Sequence, residues 1–397
     1  MIGINSKHHQ QKGAVLITAI LVVSLVAIIA TTLIQQQSRM VRLGYSLRHM
    51  DQTYLFWDQY ERFYLGQMGD LLKQNDFNVA KVDNLIKQQG GAFASGGDDE
   101  LVCLRQELEE QGITINIEGL AAVDIQGRFD LNSLRNTNGT IDPNKLKILQ
   151  RLLVAIEDYV NLPPSINSTN LINSTSPTGS QPTQDPLELD EQVIADSIAD
   201  WMDSDSTAKS YGAEDDFYQG LDIAYRTPGN WMTDISELKL IKGIADQEDD
   251  AIRSRIYQEL SKHITVLPTV IKSGQNGTTQ TPRNAKLDIN RASIPVLQSL
   301  HQNFSSNDAL RLQDGRGTNG YKSLDDFWKE VAVQKTEDEI KQAISLGVEG
   351  QYFLVWGTLA TGLGRAPASS LLEVDKQGKV TTLWRSRMFE RKPSCQL

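Results

Sequence analysis

The sequence is short of cysteine: among 397 residues only Cys103 and Cys395 occur, nearly the whole chain apart. A fold held by many disulfides is thereby excluded, and two unrelated thiols explain the pair as well as a bridge does. An oxidising compartment would favour a bridge, which would tie the C-terminal tail to the first part of the globular region. Chain-entropy models credit so long a loop with roughly 4–5 kcal/mol. A basic surplus is missing too, since the formal net charge is -11. A surface for nucleic-acid phosphates needs clustered Lys and Arg, so nucleic acid is not an expected partner. The acidity suits a soluble domain that repels its own copies, or one that collects divalent cations. Histidine is scarce, and His8, His9, His49, His263 and His301 fall in no motif. With no nucleophile–base pairing legible, an enzyme is not expected. Long apolar runs are absent apart from one, Ala14 to Ile34, and the remaining composition is that of two or three folded domains.

That run, AVLITAILVVSLVAIIATTLI, contains no charge. At ~1.5 Å per residue it is just long enough to cross a ~30 Å hydrocarbon core as one helix. A cleaved signal peptide has a shorter apolar part that leads into a small-residue site. Here the break in character lies before the run, at Lys12-Gly13-Ala14, so the stretch is expected to stay and anchor the protein. The helical pattern then continues: Met40, Leu43, Leu47, Met50, Tyr54 and Trp57 step by three or four, with Arg39, Arg42, Arg48 and Asp51 on the other faces. A single helix to about Leu72 would be on the order of 85–90 Å long. Charge gives no orientation, because Lys7 and Lys12 are answered by Arg39, Arg42 and Arg48 beyond the run.

Residues 75–100 read as a glycine-punctuated loop, followed by short β-branched segments up to GRFDLNSL. Asp142-Pro143 opens a helix carrying Leu146, Leu149, Leu153, Ile156 and Val160 on one face. The Ser/Thr/Asn/Pro tract over 161–186 is expected to be a flexible surface loop. A helix from about Leu189 to Met202 follows, then short helices in ISELKLIKGI, ended at Gly243, and in KLDINRASIPVLQSL, capped by Asn290 or Ser293. Two more lie near Asn307–Leu312 and in YKSLDDFWKEV. Helix-hairpin-helix DNA-binding domains use such pieces, but HQNFSSND lacks their hairpin glycines. Last come QYFLVWGTLATG, SSLLEVD and VTTLWRSRM, three strands with a turn at Asp375–Gly378. This order predicts an α+β chain: a helix-plus-sheet domain with an all-α domain inserted into it.

DWMDSDSTAKSYGAEDDFY is the most acidic stretch, with Asp200, Asp203, Asp205, Glu214, Asp215 and Asp216 close together. Crowded carboxylates raise one another's pKa unless a cation sits among them, and a flexible set of oxygen ligands suits calcium. The spacing is not that of an EF-hand loop. From spacing alone a solvated acidic loop is the plainest reading, a metal site the second, and a glycosidase-like carboxylate pair the third.

The order of parts resembles the K subunit family of the type II secretion system pseudopilus, the large minor pseudopilins. The resemblance is carried by Lys12-Gly13 before the apolar helix, GRFDLNSL, DWMDSDS with GAEDDFY, SELKLIKGI and LDINRAS, in the family's order over nearly the whole chain. It implies a pilin-like long N-terminal helix with an antiparallel sheet and a large inserted helical domain. The implied divisions are a prepilin leader over 1–13, a transmembrane helix over 14–34, and the rest of the helix with the first pilin-like part over 35–115. The inserted domain would take 116–320, and the second pilin-like part with its β-meander 321–397.

The resemblance further implies cleavage between Gly13 and Ala14 by a prepilin peptidase, usually with methylation of the new terminus. It implies a single-pass protein of the bacterial inner membrane whose globular part faces the periplasm. Implied partners are the minor pseudopilins I and J and other type II secretion components. It implies calcium, with Asp200, Asp203, Asp205, Glu214, Asp215 and Asp216 as ligands. Most pilins and pseudopilins carry Glu as the fifth residue after cleavage, and this chain has Thr18 there. The resemblance implies that this Glu meets the N-terminal amine of the preceding subunit, so a chain without it fits best at the tip. The competing reading is a DNA-binding minor pilin of a DNA-uptake or type IV pilus machine.

Overall fold

The computed structural model describes residues 9–79, 81–82, 115–162, 185–274, 277–283, 285–331, 336–361 and 364–386. Cys103, Cys395 and most of the loops expected at 75–100 and 161–186 lie outside them. The chain begins with one helix, α1 (His9–Gln74), of 66 residues. Its apolar part, Ala19–Val41, has a mean hydropathy of 2.1, and the described side chains along it are exposed. Ser24, Thr31 and Thr32 donate their hydroxyls to the carbonyls of Ile20, Ala27 and Ile28 in the preceding turn, at 2.7 to 3.0 Å. These polar groups thus place no unpaired donor on the apolar surface. One helix of this length and composition is a candidate for a single membrane span.

The strand β1 (Ile115–Asp124) and the short β2 (Phe129–Asp130) lead to a 3-10 turn over Leu131–Leu134. Four helices follow: α2 (Pro143–Asn161), α3 (Glu191–Met202), α4 (Asp215–Tyr218) and α5 (Asp250–His263). Then come β3 (Ile264–Thr265), the hairpin β4 (Val270–Gly274) and β5 (Gly277–Thr281), and β6 (Leu287–Asp288). The helices α6 (Ile294–Ser299), α7 (Ser306–Asp314), α8 (Leu324–Glu330) and α9 (Thr336–Ala343) precede β7 (Leu346–Gly347). The chain closes on β8 (Tyr352–Thr361), β9 (Gly364–Val374) and β10 (Val380–Ser386).

Two compact units result. One holds α1 as far as Arg62 and the far ends of β1, β8 and β9; the other holds α1 from Phe63 and the body of the chain. In the second unit the sheet runs β1-β8-β9-β10, with β10 antiparallel to β9. Asp375 builds the turn between them: its carboxylate accepts from the Gln377 and Lys379 amides at 2.9 Å, and Gly378 adopts φ 82°. The last turns of α1 press on that turn, for a Cβ at Gly69 would lie 2.1 Å from the Gly378 carbonyl oxygen. Leu72, Phe77, Phe353, Val355, Leu372 and Val374 form the core beneath this sheet.

The larger core is helical. Leu149, Leu152, Leu153 and Ile156 of α2 pack against Ile194 and Ile198 of α3, Leu260 of α5 and Leu297 of α6. Asp142 caps α2 by accepting from the Asn144 amide at 2.9 Å, with Pro143 in the first turn. This core does not end near Gly320 as expected. Phe327, Ile340 and Leu346 belong to it, because β7 pairs in parallel with β6 through Leu287↔Leu346 and Asp288↔Gly347. Two-residue pairings between segments far apart in the chain leave no periodic trace.

Two local expectations also change. ISELKLIKGI forms a 3-10 turn over Ile235–Leu240, started by a capping box of Asp234 and Glu237. In KLDINRASIPVLQSL the first residues are strand, and Asn290 is not a helix cap. Its buried amide donates to the carbonyls of Tyr321 and Val348 at 3.0 and 3.2 Å and accepts from the Tyr321 amide at 2.6 Å. Ser293 stands at the cap of α6, but its hydroxyl bonds His263 Nδ1 at 2.7 Å.

Candidate metal centre

Helix α3 carries acids on a face that is otherwise core. Asp200 is fully buried beside Ile198 and Trp201, and Asp203 terminates the helix through its amide to the Ala199 carbonyl at 2.9 Å. Neither carboxylate would stay buried and charged without a counter-ion. Lys209, on the loop that follows, supplies one: its Nζ lies 3.1 Å from Asp200 Oδ1 and 2.9 Å from Asp203 Oδ2, and its amide donates to Asp200 Oδ2 at 3.0 Å. The loop is held there by Gly212, where a Cβ would fall 1.8 Å from Asp200 Oδ2, and by Lys242 Nζ on the Tyr211 and Gly212 carbonyls. From the other side Arg135 donates to the Met202 and Gly229 carbonyls at 2.6 and 3.1 Å and stacks over Trp231 at 4.4 Å.

Beyond Lys209, carboxylate oxygens of Asp203, Asp205 and Glu214 lie within 4.8 Å of one another. Glu214 occupies the cap position of α4 but makes no capping bond. Its Oε1 and Asp203 Oδ1 are buried without a hydrogen-bond partner, whereas Asp205 is exposed and accepts from the Thr207 amide at 2.9 Å. Burial, then the charges of Asp203, Asp200, Asp205 and Asp215, push Glu214 up to about 7. Burial also raises Asp200 and Asp203 against the pull of Lys209. The Lys209 ammonium is opposed by its own desolvation, but the two carboxylates outweigh that and raise it.

The six acidic residues of this stretch therefore separate. Asp203, Asp205 and Glu214 converge, and Asp200 stands behind them on Lys209. Asp215 turns away to the Thr227 amide and hydroxyl at 2.9 and 3.0 Å, with Arg226 at 3.7 Å, and Asp216 is exposed. Successive residues of one helical turn point about 100° apart, so Glu214, Asp215 and Asp216 cannot address a single point. Sequence reasoning missed Lys209, Gly212 and Arg135, although a lone Lys inside an acidic run was a legible signal. An oxygen-only donor set, two buried oxygens lacking donors and more carboxylates than cations fit a hard divalent cation such as calcium.

Gly13, Ala14 and Thr18 lie within α1, and the Thr18 side chain is outside those described. The Ser293–His263 contact pairs a hydroxyl with an imidazole, but His263 is buried, which denies it a substrate.

The family described as type II secretion system (T2SS), protein K, matches residues 185–269, which contain the acidic centre, and 287–349, which run from β6 past β7. The type II secretion system protein K of Pseudomonas aeruginosa is 27% identical over 383 residues, covering 94% of this chain and 92% of that protein. The Klebsiella pneumoniae protein of the same name is 25% identical over 382 residues, covering 94% of each. Among solved structures, the GspK-GspI-GspJ complex from the enterotoxigenic Escherichia coli type 2 secretion system contains a chain of similar fold. Its TM-score is 0.54 at 17% identity, covering 87% of this chain and 99% of that one. A long apolar helix, a sheet and a helical core, matched along nearly their whole length, make this chain similar to the type II secretion system protein K proteins.

Proposed function

We propose that this chain is a minor pseudopilin that stands at the pseudopilus tip with the I and J subunits, where it initiates or caps assembly for export of folded proteins across the outer membrane. What supports the reading is the combination of one long helix able to serve as a shaft with a helical core too bulky to stack beneath another subunit. The solved chain of similar fold is itself part of a complex with two partners. The protein is taken as a non-enzymatic assembly component, cleaved after Gly13 by a prepilin peptidase, with its globular part in the periplasm. No observation favours the DNA-uptake alternative. Co-purification tests the proposal: the full chain in detergent should form a defined complex with the I and J subunits, and a chain that ignores both would refute it.

Calcium belongs to the same proposal. Asp203, Asp205 and Glu214 would hold it, with Asp200 and Lys209 fixing Asp203 from behind; its charge would offset the burial and the carboxylate repulsion that together lift Glu214. A ligand at a hundred times its dissociation constant stabilises by about 2.7 kcal/mol, or roughly 5–10 °C in melting temperature. Calcium should therefore raise the melting temperature over that in chelator, and Asp203→Asn with Glu214→Gln should abolish the difference. Equal melting with and without chelator would remove the site.

A further inference from the structure

Two adjoining clefts of about 480 and 460 Å³ open where the helical core, the β4–β5 hairpin and the sheet meet, all within the second unit. They share Ser133, Lys145, Pro282 and Arg283. Strand alternation sets one wall: Val270 and Lys272 face the cleft with Thr281, the partner of Val270, while Ile271 points outward and is 67% exposed. In a chain of net charge -11, seven basic and three acidic side chains line the clefts. The three acids are largely spoken for. Glu373 accepts from Arg283 Nη1 at 2.5 Å and from the Tyr352 hydroxyl at 2.8 Å, Asp142 caps α2, and burial pushes Asp130 up to about 7. Three lysines face the space, Lys145 with only a Coulombic hold on Asp130. Lys145 Nζ bonds the Ser133 carbonyl at 2.7 Å, Lys272 and Lys286 are exposed, and none of the three is ion-paired among the described residues.

We propose that this cleft docks an acidic peptide segment of a partner protein, whose carboxylates are taken by Lys145, Lys272 and Lys286. Charge complementarity argues for the occupant: the clefts are a basic island on an acidic molecule, which attracts carboxylates while the surrounding surface repels a polyanion as large as duplex DNA. Size argues for a peptide over a lone anion. Each cleft exceeds by more than tenfold the ~30 Å³ that one water takes up, and the two are joined. The inference goes beyond the tip assignment and does not depend on it.

The test uses the full chain in detergent and a fluorescein-labelled hexaglutamate peptide, with hexaglutamine as control, read by fluorescence anisotropy. The expected result is saturable binding of hexaglutamate that weakens with salt, no binding of hexaglutamine, and a loss of roughly tenfold or more in Lys272→Glu/Lys286→Glu. Both lysines are exposed, so the fold tolerates the change, and a melting curve confirms it. Lys322→Glu/Lys376→Glu, exposed lysines outside the cleft, should bind as the parent does. Absence of hexaglutamate binding, equal weakening by both double variants, or tighter binding of a labelled DNA duplex would each overturn the proposal.

Discussion

Gly212 sets how closely the acidic loop approaches α3, because any Cβ there would occupy the space of the Asp200 carboxylate. Gly212→Ala must push Asp200 off Lys209 and leave a buried charge poorly paired, at a cost of about 3 kcal/mol. Urea unfolding should register that loss, and the calcium-dependent rise in melting temperature should shrink with it; parent-like behaviour on both counts would mean the loop yields freely. His263 offers a pH readout. Burial, then Lys262 and Arg128, hold its imidazole down at about 3. An unfolded histidine takes a proton near pH 6.5, so its contribution to stability is whole above that pH and is lost as acid is added, at about 1.4 kcal/mol per pH unit. Asp130 and Asp288, raised by burial to about 7 and about 6, act with the opposite sign: they protonate first in the folded chain. Comparison with His263→Asn isolates the histidine. The penalty of that substitution should narrow by about 2–3 kcal/mol between pH 7 and pH 4.5, and a penalty independent of pH would contradict the buried neutral imidazole.

At the scale of elements, local signals were legible at several caps and turns, though α5, capped by Asp249, went unread. Asp142-Pro143 starts α2, Ser305 and Asp308 form a capping box for α7, and Asp375 with Gly378 turns β9 into β10. LDINRAS misled for a reason Asn290 makes plain. A side chain that suits a helix cap also suits any buried place with three backbone groups to satisfy, and here it staples the segment before α8 and the segment after β7. Asn290→Ala would leave those groups buried and unpaired and should cost about 2–3 kcal/mol. Ser305→Ala, the loss of a true cap, should cost about 1 kcal/mol. Denaturant unfolding of the two variants side by side checks the ordering, and equal costs would restore Asn290 to a local role.

At the scale of the molecule, the first turns of the apolar part of α1 carry the sharpest consequence of the tip assignment. An unpaired amine or carboxylate in an apolar assembly is expensive, so a subunit with Thr18 gains nothing from a subunit above it. Thr18→Glu should let the chain enter the body of the filament, seen as labelled protein along sheared pseudopili instead of at their ends. Continued confinement to the ends would assign that role to the helical core alone. The sequence by itself determined the apolar helix and its extension to about Leu72, the helices α2 and α3, the closing meander and the acidic stretch, because each is written in composition or short-range period. Only the tertiary structure decided which acids meet, that Lys209 and Gly212 sort them, that the helical core reaches Leu346 through β6 and β7, and that basic residues from four separate segments gather in one cleft. These are juxtapositions of distant residues, set by packing and by the need to satisfy buried charge, and no local pattern encodes them.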